Sequence, residues 1–123
     1  YSKMHKLEKN IIFHGETDDV EYFYKNSNIF IHFSKYEGMS NAILEALSFG
    51  LPVISSNHYG IDDIISNDFN GLLINDLNVN DLFSKMSLLS KDVKLKSVLS
   101  NNAYNSSRNF SNNRIIKKWV NIL

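Results

Sequence analysis

The chain has 123 residues, 43% of them apolar, and its thirteen basic residues balance thirteen acidic ones. This length fits one domain or part of one, and the neutral charge removes the electrostatic argument for a nucleic-acid partner or an anionic membrane surface. Because cysteine is absent, the chain has no disulfide, no thiolate metal site and no cysteine nucleophile. No apolar run approaches the ~20 residues that a membrane-spanning helix needs.

Four short runs of the chain are rich in β-branched and aromatic residues. Runs of this kind, bounded by residues such as glycine, proline and asparagine, are typical of strands. The second run is nearly all apolar, which favours a parallel strand that is covered on both faces. The strands are predicted at 10–14, 28–33, 51–55 and 71–74.

Helical patterns occupy the intervals between these strands and the rest of the chain. Asp18 is placed to cap a first helix. A second helix is predicted over 41–49, with Ser40 or Asn41 as its cap, and a short third one over 61–66. Beyond the last strand, apolar positions at helical spacing mark three more helices, around 82–89, 93–99 and 115–123.

The order of these elements predicts the fold class. Strands that alternate with helices indicate an α/β fold, here a Rossmann-like parallel sheet of about four strands with flanking helices. Neither a linker nor an internal repeat interrupts the sequence, so one domain is predicted over 1–123. Since the chain does not begin with methionine, we expect it to be a fragment of a longer protein.

The chemistry is concentrated between Glu37 and Glu45. A loop with Gly38 follows the second strand, and the helix that opens at Ser40 offers free backbone N–H groups and a partial positive charge to a phosphate. Ligands of open α/β sheets bind at this position, beyond the carboxyl ends of the strands. Each glutamate can accept hydrogen bonds from two sugar hydroxyls, so the segment indicates a sugar nucleotide. The alternative is that both glutamates are solvated surface charges.

The segment from Glu37 to Glu45 resembles the glutamate–seven residues–glutamate signature of the retaining GT-B glycosyltransferases of family 4. The resemblance covers about residues 10–123 and implies the C-terminal half of a GT-B fold whose first strand–helix units are missing. The further stretches that carry it are 13–15, 24–29, 46–47, 50–54, 60–65, 70–74, Phe110–Ser111 and Trp119. This chain has Met39–Ser40 where the family often has Phe-Gly, and Tyr59 where it often has glycine.

The resemblance also implies roles for individual residues. Glu37, the candidate catalytic residue, would contact hydroxyls of the transferred sugar, and Glu45 would bind the ribose hydroxyls. Backbone groups from Gly38 to Asn41 would receive the diphosphate, and Gly60 would lie close to the site. The implied donor-binding residues are therefore Glu37, Gly38, Met39, Ser40, Asn41, Glu45 and Gly60.

The implied activity is retaining transfer from a nucleotide-diphosphate sugar (UDP-, GDP- or ADP-sugar) to a saccharide or lipid-linked acceptor. We expect no metal and no cofactor, an acceptor held by the missing N-terminal domain, and a cytoplasmic location that is peripheral to the inner face of the membrane. The missing strands would be central in the sheet. We therefore expect the first strand to pair directly with the second, or chains to associate through exposed sheet edges. The fragment alone should bind donor weakly and transfer nothing.

The sequence leaves two alternative functions open beside sugar transfer. A sugar-nucleotide epimerase shares the architecture but differs in its site residues from the Glu37 to Glu45 stretch. A phosphoacceptor receiver module matches the length, but it needs an acidic pair directly after its first strand and an aspartate at the end of a later one. Asp18 and Asp19 come too late for that pair, and the strand that ends at Ser34 supplies no aspartate.

Overall fold

A computed structural model describes residues 6–36 and 40–110 of the chain. Three parallel strands form one sheet in the order β1-β2-β3, where β1 is Phe30–His32, β2 is Val53–Ser56 and β3 is Gly71–Ile74. Parallel neighbours need a crossover connection, which helices supply in this chain. The Rossmann-like α/β prediction is confirmed.

The first predicted strand is not a strand. Residues 10–14 have no ladder partner among the described residues, and the segment begins with a turn in which Asn10 N and Ile11 N both donate to Leu7 O, at 2.8 and 3.0 Å. Phe13 is 82% exposed. A β-rich run becomes a strand only where a neighbouring strand takes up its backbone hydrogen bonds. The expectations of a fourth strand in the described part of the chain, and of its pairing with β1, were therefore wrong.

Four α-helices surround the sheet in the described part of the chain. They are α1 (Val20–Lys25), α2 (Asn41–Ser48), α3 (Val79–Lys91) and α4 (Val93–Ser107). The cap of α1 is Asp19 instead of the predicted Asp18, because Asp19 Oδ1 accepts the N–H of Tyr22 at 3.2 Å. The predicted helix over 61–66 is only a 3-10 turn, Ile61–Asp63. The helix predicted around 115–123 lies outside the described residues.

The core has two apolar clusters, one on each face of β2. Val53 packs with α2 and with the side chains of Ile61 and Ile65, whereas Ile54 packs with Leu89 and other residues of α3, α4 and β3. Successive side chains of a strand point to opposite faces, so this division follows from the pleat. All four residues of β2 are buried, as expected for the central strand of a covered parallel sheet. None of the helices in the described part of the chain is both long and apolar enough to cross a membrane.

Asn70 fixes the segment that leads from β2 to β3. Its side chain is buried; Oδ1 accepts the N–H of Ser66 at 2.8 Å, and Nδ2 donates to Ile64 O at 2.9 Å and to Ser106 Oγ at 3.0 Å. One side chain thus closes the turn before β3 and joins it to α4.

Replacing Asn70 by alanine should lower the free energy of unfolding by about 2 to 4 kcal/mol, because buried polar groups that lose their partners cost ~1–3 kcal/mol each. Asn105→Ala, at an exposed position of α4, is the matched control and should change stability by less than about 0.5 kcal/mol. Urea denaturation of both variants measures the difference. Equal stability of the two would contradict the role of Asn70.

Candidate functional site

The carboxyl ends of β1 and β2 lie side by side and their loops are joined by one hydroxyl. Ser56 Oγ accepts the N–H of Ser34 at 2.8 Å and donates to Ser34 O at 2.5 Å. The ring of His32, the last residue of β1, meets the ring of His58, two residues after the end of β2, edge to face with centroids 5.9 Å apart. These contacts fix the start of both loops at the edge of the sheet where parallel α/β folds bind ligands.

Helix α2 begins at this edge. Ser40 is its cap, in an extended conformation, and its buried hydroxyl accepts the N–H of Ile43 at 3.4 Å. The first helical bond runs from Leu44 N to Ser40 O, so the N–H groups of Asn41 and Ala42 lie outside the intrahelical ladder. These groups and the positive end of the helix dipole make the start of α2 suitable for an anion.

Glu45 lies one turn further along α2, and its carboxylate is held by a residue from another element. The Tyr24 hydroxyl donates to Glu45 Oε2 at 3.0 Å and lies 3.4 Å from Ala42 O. The Tyr24 ring stacks on Phe49, with centroids 5.3 Å apart and planes 15° apart. Glu45 itself is exposed, so the carboxylate is both oriented and open to a ligand.

The environment of Tyr24 further favours the protonated form of its hydroxyl. Tyr24 is only 7% exposed, and burial, together with the hydrogen bond to Glu45 and the charge of that carboxylate, raises the pKa of its phenol to about 12. The hydroxyl is therefore a proton donor to Glu45 throughout the physiological pH range.

The loop after β2 contributes Gly60 at the same edge. Gly60 has φ 85°, in the left-handed region that favours glycine, and it caps the 3-10 turn Ile61–Asp63. Tyr59 beside it is 98% exposed. Asp62 and Asp63 lie in that turn.

Four of the seven predicted site residues are described. Ser40, Asn41 and Glu45 lie together in the first turns of α2, and Gly60 lies in the adjacent loop; Glu37, Gly38 and Met39 lie outside the described residues. Sequence reasoning missed the hydroxyl of Tyr24 as part of the site. The available signal was a tyrosine at a buried position, since a buried phenol usually finds a hydrogen-bond partner.

Metal ligation has no support in the part of the chain that the structure covers. Over residues 6–36 and 40–110, no three histidine, aspartate or glutamate side chains are grouped closely enough to hold an ion. His14, one of the four histidines, instead packs edge to face against Phe23 at 4.5 Å.

The family model described as "Glycosyl transferases group 1" matches residues 1–106 of the chain. A curated relative from Escherichia coli, UDP-Gal:alpha-D-GlcNAc-diphosphoundecaprenol alpha-1,3-galactosyltransferase, is 38% identical over 112 residues, which are 91% of this chain and 28% of that protein. The chain spans between 12% and 34% of the length of such curated relatives.

Solved structures share the fold. The C-terminal domain of a glycosyl transferase group 1 family protein from Francisella tularensis has a TM-score of 0.77 and 25% identity, over 93% of this chain and 59% of that one. A variant of Staphylococcus aureus TarM in complex with Fondaparinux, alpha-GlcNAc-glycerol and UDP has a TM-score of 0.86 and 28% identity, over 98% of this chain and 25% of that one.

The raised pKa of Tyr24 should depend in part on Glu45. In Glu45→Gln the burial of the ring persists, but the hydrogen bond to a charged acceptor and the repulsion between two negative charges are lost. We expect the pKa of Tyr24 to fall from about 12 towards the ordinary value of about 10 without reaching it. A pH titration of the tyrosine ring carbons by NMR measures this change; an unaltered pKa would show that the two groups do not interact.

Proposed function

The chain belongs to the group 1 glycosyl transferases, and on this premise we propose that it is the donor-binding part of an enzyme that transfers a sugar from a nucleotide-diphosphate sugar. The observation that carries the proposal is the position of Glu45. Its oriented and exposed carboxylate lies one turn inside the helix whose N-terminus opens at the ligand-binding edge of the sheet. An anion site and a hydroxyl acceptor are thus about one helical turn apart.

The parts of a sugar nucleotide fit this arrangement. The diphosphate lies at the start of α2, where the N–H groups of Asn41 and Ala42 and the helix dipole stabilise its charge. Glu45 accepts hydrogen bonds from the ribose hydroxyls, and Glu37 orients the transferred sugar. As the glycosidic bond breaks, negative charge grows on the departing diphosphate, and the preorganised N–H groups stabilise it. Because the helix supplies this stabilisation, the reaction needs neither a metal nor another cofactor.

The proposed donor is a UDP-sugar and the proposed acceptor a lipid-linked or polymeric saccharide. The name of the E. coli relative includes both UDP-Gal and a diphosphoundecaprenol acceptor, and the S. aureus structure contains UDP. The acceptor would be bound by an N-terminal domain at the cytoplasmic face of the membrane, and transfer would retain the anomeric configuration. The chain alone would therefore bind donor without transferring sugar.

A sugar-nucleotide epimerase of the same architecture is the second candidate. Product analysis separates the two functions on the longer protein, because an epimerase changes the sugar nucleotide in the absence of any acceptor, whereas a transferase needs one. The match to the transferase family favours transfer. The receiver hypothesis has no such support.

Binding of the donor can be measured by NMR titration of the chain with UDP, UDP-glucose, GDP, GDP-mannose and, as a control, ATP. We expect UDP and UDP-glucose to shift backbone signals in α2 around Asn41 and Glu45 and in the loop at Gly60. Glu45→Gln should weaken UDP binding about tenfold to a hundredfold, since hydrogen bonds to a charged group contribute ~1.5–3 kcal/mol.

Glu16→Gln is the matched control, because it makes the same change at an exposed position in the loop before α1. It should leave UDP affinity unchanged. Equal affinity of UDP for the wild-type chain and for Glu45→Gln, or shifts that avoid α2, would rule out the assigned donor site.

A further inference from the structure

The contact between α1 and α2 joins two parts of the chain that are distant in sequence. Tyr24, at position five of the short helix α1, is 21 residues before Glu45, and its hydroxyl is the group that contacts the Glu45 carboxylate. Tyr24 is fixed in turn by aromatic packing: its ring stacks on Phe49 at 5.3 Å and is tilted against Phe30 at 5.9 Å. The hydroxyl thus comes from a buried, well-packed ring.

We propose that Tyr24 is a positioning residue for nucleotide recognition, which holds the Glu45 carboxylate in the orientation that accepts both hydroxyls of the ribose. This inference rests on the proposed donor site, in which Glu45 contacts the ribose. Tyr24 acts through Glu45 and does not itself touch the ligand.

The hydrogen-bond capacity of the carboxylate supports this role. A carboxylate has about four lone-pair positions on two oxygens. Tyr24 occupies one of them, on Oε2, and leaves Oε1 and one position of Oε2 for a pair of neighbouring hydroxyls. A bidentate contact of this kind requires a defined plane of the carboxylate, which an exposed glutamate with free side-chain torsions does not have.

Preorganisation is the physical gain. An exposed glutamate loses rotamer freedom when a ligand fixes it, and each such side chain costs binding free energy. In this structure the Tyr24 hydroxyl already restricts Glu45 before any ligand arrives. The Tyr24 ring stacks on Phe49 at the end of the helix that carries Glu45, so both partners of the hydrogen bond are tied to α2.

The test is Tyr24→Phe on the full 123-residue chain, which removes one oxygen and keeps the stacked ring. Affinities are measured by calorimetry for UDP, for 2′,3′-dideoxy-UDP and for inorganic pyrophosphate. We expect Tyr24→Phe to weaken UDP about threefold to tenfold, as for one side chain that must be ordered on binding, and to leave the dideoxy nucleotide and pyrophosphate unchanged. Tyr22→Phe, at an exposed position of α1, is the matched control and should bind all three like the wild type.

A structural role of Tyr24 would have a different signature. If Tyr24→Phe weakened all three ligands equally, the hydroxyl would support the fold of the site and not the orientation of Glu45, and the proposal would be wrong. The double variant Tyr24→Phe/Glu45→Gln adds a second criterion: it should bind UDP no more weakly than Glu45→Gln alone, because Tyr24 has nothing left to position.

The two proposals fail in distinguishable ways. If Glu45→Gln weakens UDP and Tyr24→Phe does not, the positioning role is overturned while the donor site stands. If neither variant alters UDP binding, Glu45 is not the ribose contact, and both the donor site and the role of Tyr24 are overturned.

Discussion

The burial of β2 on both faces is the constraint on which the rest of the structure depends. Val53 and Ile54 belong to different apolar clusters, so the side chains of β2 are buried only if helices cover both faces of the sheet. Its backbone groups are paired by a parallel neighbour on each side. Parallel pairing then brings the carboxyl ends of all three strands to one edge. The loops after β1 and β2 and the start of α2 therefore lie together at this edge, and the packing of the four-residue strand β2 fixes the position of the candidate site.

Local and non-local signals explain which elements the sequence predicts well. The strand at 71–74 and the start of the helix after Ser40 were predicted where they occur, because β-branched runs, a serine cap and helical spacing act within a few residues. Residues 10–14 carry a comparable strand signal and form none, since a strand also needs a partner, and no local pattern shows whether one is present.

The candidate site also combines features that local sequence predicts with features that depend on tertiary contacts. The free N–H groups at the start of α2, which suit an anion, follow from backbone geometry and could be predicted from Ser40 and the helical pattern alone. The orientation of Glu45 could not, because it depends on a phenol that lies 21 residues earlier and reaches the carboxylate only through tertiary packing. A buried tyrosine indicates that a partner exists; the fold determines which one.

The contact between Tyr24 and Glu45 implies that α1 matters to the candidate site, although none of the seven predicted site residues lies on this helix. The helix has six residues, one cap from Asp19 and one buried side chain, Tyr24, which contacts Glu45 of α2 and stacks on Phe49 at the end of α2. Such a short helix is marginal by itself and depends on tertiary contacts. Anchoring α1 and orienting Glu45 are consequently done by the same residue, through its ring and its hydroxyl respectively. In the proposed donor site, a change that loosens α1 would therefore disturb the proposed ribose contact of Glu45 before it disturbs the proposed diphosphate site, whose N–H groups belong to α2 itself.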